Sequence, residues 1–206
     1  MPELKINLDG AIYQKLLEAA QENNLNPEQL LNERVHQRMF WLLDDRPHQW
    51  IPIDEWESRL GGDDCPMCAD LAKQDQVNEF GYPIAELSFS RFRLGMNQGV
   101  PGYSVLICNQ HAVEPFYLAE EDSIRFFNDM RHAGEALFKA LTREGLNPIK
   151  INYQLLGNEF PHMHVHIVPR FHGDAMPHRS LPADYHQETL RPEDYEQRVR
   201  LIREAL

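Results

Sequence analysis

The sequence predicts an α+β fold in which an antiparallel sheet carries one long helix on a face. Three observations carry this reading. Tyr103-Ser104-Val105-Leu106-Ile107-Cys108 is a nearly continuous apolar run of strand length. His162-Met163-His164-Val165-His166-Ile167-Val168 alternates imidazole and apolar side chains with period two, as a strand with two different faces does. Between them, Phe126, Met130, Ala133, Leu137 and Leu141 recur at helical spacing over Ser123 to Glu144, with Gly145 placed to end the helix.

The remaining elements follow in chain order. Leu4 to Asp9 alternates apolar and polar residues and reads as a half-buried strand. Ile12, Leu16, Ala19 and Ala20 then share a helical face, and Asn23-Asn24-Leu25-Asn26 breaks it. Asn26, Pro27 and Gln29 form a capping-box start for a second helix with the stripe Leu31, Val35, Met39 and Leu42. Strand, helix, turn and helix in this order resemble a ribbon-helix-helix unit over residues 1–43. That resemblance implies dimerisation, because a lone unit cannot bury its apolar faces. Residues 1–40 carry four basic against six acidic side chains, which argues against a DNA-contacting surface there. Residues 44–61, with Pro47, Pro52 and Gly61, read as a linker. Residues 84–94 read as one strand of broken alternation, 149–156 as another, and Tyr195, Val199, Ile202 and Leu206 give the 176–206 tail a helix.

Composition narrows the function classes. The chain has 206 residues and a net charge of -12, which suits one sizeable core with an appendage and disfavours broad binding to nucleic acid or anionic membrane. No apolar run reaches the ~18 residues of a spanning helix, and a cytoplasmic location is expected. Cys65-Pro66-Met67-Cys68 points to a metal or redox site, whereas Cys108 reads as a small buried side chain.

The three imidazoles of His162, His164 and His166 are the strongest chemical signal. Period two aims them to one side while Met163, Val165 and Ile167 pack behind. The bland alternative is an exposed strand face or an adventitious metal patch. The segment, with Asn152 to Pro161 before it and Pro169-Arg170 after it, resembles the signature of the histidine triad, or HIT, family. The resemblance covers residues 62–172 and implies a HIT domain over 62–175, with a sheet of about five strands. It further implies a hydrolase or transferase acting on nucleotidyl phosphates, such as dinucleoside polyphosphates or nucleoside phosphoramidates. His164 would be the nucleophile and His166 a donor to the phosphate or leaving group, with Asn152, Gly157 and Asn158 cradling the phosphate. In zinc-bearing members the ligands match Cys65, Cys68, His111 and His162, a closed Cys2His2 site. The alternative for the thiols is a reduced pair beside a surface histidine.

Two departures bear on the substrate. An acidic residue that commonly contacts the ribose is absent, and the nearest positions are Gly95, Met96 and Asn97, of which Asn97 is the candidate substitute. A position commonly occupied by histidine holds Tyr103. A rival of another class is a nucleotide-binding regulator whose N-terminal unit binds DNA.

Overall fold

The computed structural model describes residues 8–22, 25–32, 51–73, 76–174, 176, 178–181 and 187–206. The chain divides into two compact units, Met1–Gln49 and Trp50–Leu206. In the first unit, helix α1 spans Gly10–Glu22 and residues 27–32 begin helix α2. The capping box forms as expected: Gln29 N–H donates to Asn26 Oδ1 at 2.8 Å, and Asn26 N–H donates to Gln29 Oε1 at 3.2 Å. Ala20 and Leu30 are buried. The expected strand at Leu4 to Asp9 lies mainly outside the described residues, as does the stripe from Val35 to Leu42.

The second unit contains α3 (Ile53–Leu60), α4 (Pro66–Leu71), β1 (Tyr82–Glu86), β2 (Ser90–Leu94), β3 (Ser104–Cys108), α5 (Glu120–Arg143), β4 (Lys150–Gln154), β5 (His164–Arg170) and α6 (Pro192–Arg203). The five strands form one antiparallel sheet in the order β1-β2-β3-β5-β4. Its two faces have separate partners. Phe92, Leu94, Leu106, Val165 and Ile167 meet Phe126, Ala133, Leu137 and Leu141 of α5 in the main core. Val105, Ile107 and Val168 on the other face cluster with Cys65, Met67 and Tyr103. Cross-strand pairing of Val105 with His166 and of Ile107 with His164 puts the two imidazoles on this second face.

Three segments differ from the sequence reading. Residues 84–94 are not one strand but the hairpin β1–β2. Its turn lacks Gly or Pro and is held from a distance, since the buried Asp129 carboxylate on α5 accepts from Ser88 N–H, Phe89 N–H and Ser90 Oγ–H. Residues 53–60, read within a linker, are helical. Pro52 precedes the first turn, and Asp54 and Glu55 oppose the N-terminal dipole there. The tail helix is where the spacing puts it, yet it is part of the core. Tyr195, Val199 and Ile202 are buried with the α5 residues, and Tyr195 stacks on Tyr82 with ring centroids 4.4 Å apart.

Candidate active site and metal centre

Cys65 and Pro66 open α4, so the C-x2-C spacing places both sulfurs at the first turn of that helix. His162 stands just ahead of β5, and His111 just beyond β3. Two backbone bonds tie these approaches together: Met163 N–H donates to Ala112 O at 2.6 Å, and Cys108 N–H donates to Met163 O at 3.0 Å. The ligand atoms of Cys65, Cys68, His111 and His162 all lie within 4.8 Å of one another. His162 Nδ1 is 3.3 Å from Cys65 Sγ, 3.5 Å from Cys68 Sγ and 3.3 Å from His111 Nδ1; His111 Nδ1 is 3.3 Å from Cys68 Sγ. A tetrahedral zinc ion with bonds of about 2.0–2.3 Å requires ligand separations of roughly 3.3–3.8 Å.

The tautomers agree with that geometry. His162 Nε2 lies 2.8 Å from Cys108 O and His111 Nε2 lies 3.0 Å from Leu60 O. A carbonyl can only accept, so each Nε2 carries the proton and each Nδ1 turns a bare lone pair toward the thiols. Two lone pairs facing each other at 3.3 Å suit a shared cation. Burial pushes the His162 imidazole down to about 4, which keeps it neutral at pH 7 as a ligand must be. Burial, and then the adjacent Cys65, pushes the Cys68 thiol up to about 11, so a cation is what would hold that sulfur as a thiolate.

On the same face of the sheet lies a cavity of about 500 Å³. His164, His166 and Tyr103 form one part of its wall, Gly157, Asn158 and Glu159 another, and Met96 and Asn97 a third. His164 is buried, and its Nδ1 lies 2.7 Å from His162 O. The same reasoning makes that nitrogen the protonated one, so Nε2 holds a lone pair. Burial lowers the His164 pKa, against the backbone bond and the nearby Glu159, which raise it. Burial, and then His164, pushes His166 down to about 4. The two rings are neighbours, edge to face, with centroids 4.9 Å apart. Gly157 sits at φ 65°, a left-handed conformation that a side chain would strain, at the bend leading into the loop.

The loop is braced by the helix at 53–60. Arg59 Nη1 donates to Glu159 O at 2.8 Å and its guanidinium lies over the Phe160 ring at 5.1 Å, while Leu60 O receives the His111 proton. The segment read as a linker thus braces both the Cys/His cluster and the loop.

Of the residues expected at the site, His164, His166, Gly157, Asn158 and Asn97 come together in the cavity wall, and Cys65, Cys68, His111 and His162 in one cluster that could hold a metal ion. Asn152 does not join them. It pairs with Val168, two residues along the sheet from the His166–Gln154 pair, and is not among the cavity-lining residues. Asn97 Oδ1 is engaged by the loop itself, accepting from Gly99 N–H and Glu188 N–H at 3.0 Å each. Sequence reasoning missed Gln187, Glu79 and Phe80 in the wall. Gln187 arrives on a C-terminal segment pinned by those Glu188 bonds, a pairing across some ninety residues that leaves no local signal.

Comparison with known proteins bears on the family of this region. Residues 86–173 match the family model described as the HIT domain. This part of the chain is a HIT domain. A curated relative, an uncharacterised HIT-like protein of Methanocaldococcus jannaschii, is 27% identical over 82 residues, covering 40% of this chain. The matched stretch spans 63% of the length of that relative. Among solved structures, a histidine triad protein of Sinorhizobium meliloti 1021 superposes with a TM-score of 0.55 at 24% identity, over 65% of this chain and 98% of its own. One from Bradyrhizobium japonicum has a TM-score of 0.54 at 23% identity, over 62% and 91%. One from Marinobacter aquaeolei VT8 has 0.54 at 17%, over 65% and 97%. These likenesses establish the sheet and long helix of the HIT fold. Among the described residues, no helix is long and apolar enough to cross a membrane.

Proposed function

We propose that the HIT domain is a nucleotidyl hydrolase or transferase working through a covalent nucleotidyl-histidine at His164. The observation that carries this reading is the 2.7 Å contact of His164 Nδ1 with His162 O, which leaves an imidazole lone pair in the wall of a cavity large enough for a nucleotide. In the first step Nε2 attacks the α-phosphorus, and the bond from phosphorus to the leaving atom breaks with its electron pair as that atom takes up a proton from solvent. Water or another acceptor then attacks the same phosphorus and releases a proton to solvent. The P–Nε2 bond breaks, its pair returns to the imidazole, and the nucleoside monophosphate leaves. His166 and the backbone amides of the Gly157–Glu159 loop are suitably sited to donate to the phosphoryl oxygens, and a donor of this kind is worth about 2–4 kcal/mol in the transition state.

Among the described residues, the cavity wall includes Glu79 and Glu159 but no Lys or Arg. Two carboxylates disfavour a polyphosphate chain and favour a substrate with a single phosphoryl group and an amine leaving group. A nucleoside phosphoramidate therefore ranks above a dinucleoside polyphosphate.

Cys65, Cys68, His111 and His162 would hold zinc, which as a closed four-ligand centre would supply stability and no water-activating position. Their contribution is to fix helix α4 against the start of β5, and so the frame that orients His164. For the N-terminal unit the reading is dimerisation, supported by the apolar alternation of Leu4, Ile6 and Leu8 in its sequence, and its acidic balance speaks against DNA binding. The test of the catalytic reading is turnover of an adenylated amine by wild type and His164→Ala. The variant should fall to background while still binding the nucleotide; retention of most of the rate would refute the nucleophile assignment.

A further inference from the structure

We infer that Tyr103 is a positioning residue that holds His166 in the tautomer with its proton on Nε2, aimed at the phosphoryl group. The Tyr103 hydroxyl lies 2.6 Å from His166 Nδ1 and the two rings stack with centroids 5.9 Å apart. A phenol and a neutral imidazole share one hydrogen bond in this geometry, and the phenol is the stronger acid of the two. Tyrosine therefore donates, Nδ1 accepts, and the imidazole proton is left on Nε2. The low basicity that burial gives His166 keeps the ring neutral, so a definite tautomer exists to be selected.

The tyrosine is itself rigidly held. Its ring lies against the Gly95 backbone so closely that a Cβ there would come within 2.5 Å of it. Its carbonyl accepts from Gly95 N–H at 2.9 Å and from the buried Gln98 amide at 2.9 Å. Gln98 Oε1 in turn accepts from Arg198 Nη1 at 2.9 Å and Gly102 N–H at 2.8 Å. The hydroxyl is thus fixed by a network reaching from the Pro101-Gly102 turn to α6. Val105, two residues on, pairs with His166, so strand register keeps the two partners side by side.

The consequence for chemistry rests on the nucleophile reading of His164. An in-line displacement puts the leaving atom on the far side of phosphorus from His164. His166, whose ring neighbours that of His164, therefore reaches an equatorial oxygen, where it stabilises developing charge by a hydrogen bond without transferring its proton. With the tautomer unset, part of the population would present a lone pair to that oxygen and repel it.

The test combines a spectroscopic and a kinetic arm on the full-length zinc-loaded protein. Two-bond ¹⁵N–¹H correlation spectra of histidine-labelled protein should show His166 with its proton on Nε2 and an acceptor-type Nδ1. In Tyr103→Phe the two tautomers should mix. The same variant should lose about tenfold or more in kcat on an adenylated amine with little change in KM. In a His166→Ala background it should lose nothing further. A proton on Nδ1 in wild type, or an equal loss in both backgrounds, would overturn the inference. The spectra do not depend on turnover, so a failure of the catalytic reading, seen as an active His164→Ala, is told apart from a failure of this one.

Discussion

The ion pair under the metal helix offers the sharpest energetic test. Asp70, two residues after Cys68, holds Arg93 by two parallel bonds, Nε to Oδ2 at 2.9 Å and Nη2 to Oδ1 at 2.7 Å. Side-chain exposure is 0% for the arginine and 1% for the aspartate, so neither charge is rescued by solvent. Asp70→Ala leaves the guanidinium buried, with the Gln76 and Gly81 carbonyls, at 3.0 Å each, still accepting from Nη1. Breaking a buried pair costs about 3–5 kcal/mol, and the two surviving carbonyl contacts favour the lower end, about 3 kcal/mol. For a domain of this size that corresponds to a fall of roughly 6–12 °C in melting temperature. Urea unfolding of the zinc-loaded protein measures it. The double variant Asp70→Leu with Arg93→Met should recover most of the loss, because it removes both charges. A single-variant cost below about 1 kcal/mol would show that the pair does not hold α4 against β2.

Other outcomes follow from the site. Cys65→Ser should abolish stoichiometric zinc and lower the melting temperature, read by elemental analysis and calorimetry; a zinc-free wild-type protein with unchanged stability would remove His162 from the ligand set. Glu159→Gln should raise kcat/KM for a dinucleoside polyphosphate relative to a phosphoramidate by a few-fold; an unchanged ratio would mean the carboxylate does not face the leaving group. Burial depresses both His164 and His166, so protonation inactivates them only at pH well below the ordinary imidazole range. The acid limb of kcat/KM should therefore lie below pH 6, with a flat profile from about 6 to 8; a limb centred at 6.5 or above would contradict the burial argument. Deleting residues 1–43 should convert a dimer to a monomer by light scattering, and an unchanged mass would refute the role given to that unit.

What was legible in the sequence was what local periodicity encodes. Alternation in 162–168 separates His164 and His166 from Val165 and Ile167, and the structure keeps that division as the cavity face and the core face of β5. The 3.6-residue repeat marked α5, and Asn26 with Gln29 marked a cap that forms. What was not legible depends on distant partners. The β1–β2 turn needs Asp129, the wall residue Gln187 needs Asn97, and the His166 tautomer needs Tyr103. Asn152 shows the converse: the family resemblance implies a phosphate contact, whereas the sheet register pairs it with Val168 and it is not among the cavity-lining residues.

The central claim is that His164 Nε2 forms a bond to phosphorus. Rapid mixing of wild type with an adenylated amine, an alkaline denaturing quench and intact-protein mass spectrometry test it directly, followed by peptide mapping, all under conditions that preserve acid-labile phosphorus–nitrogen bonds. The account predicts a transient gain of one nucleoside monophosphoryl group, mapped to the peptide containing His164 and missing in His164→Ala. Product formed at full rate with no adduct at any quench time, or an adduct on another residue, would contradict it.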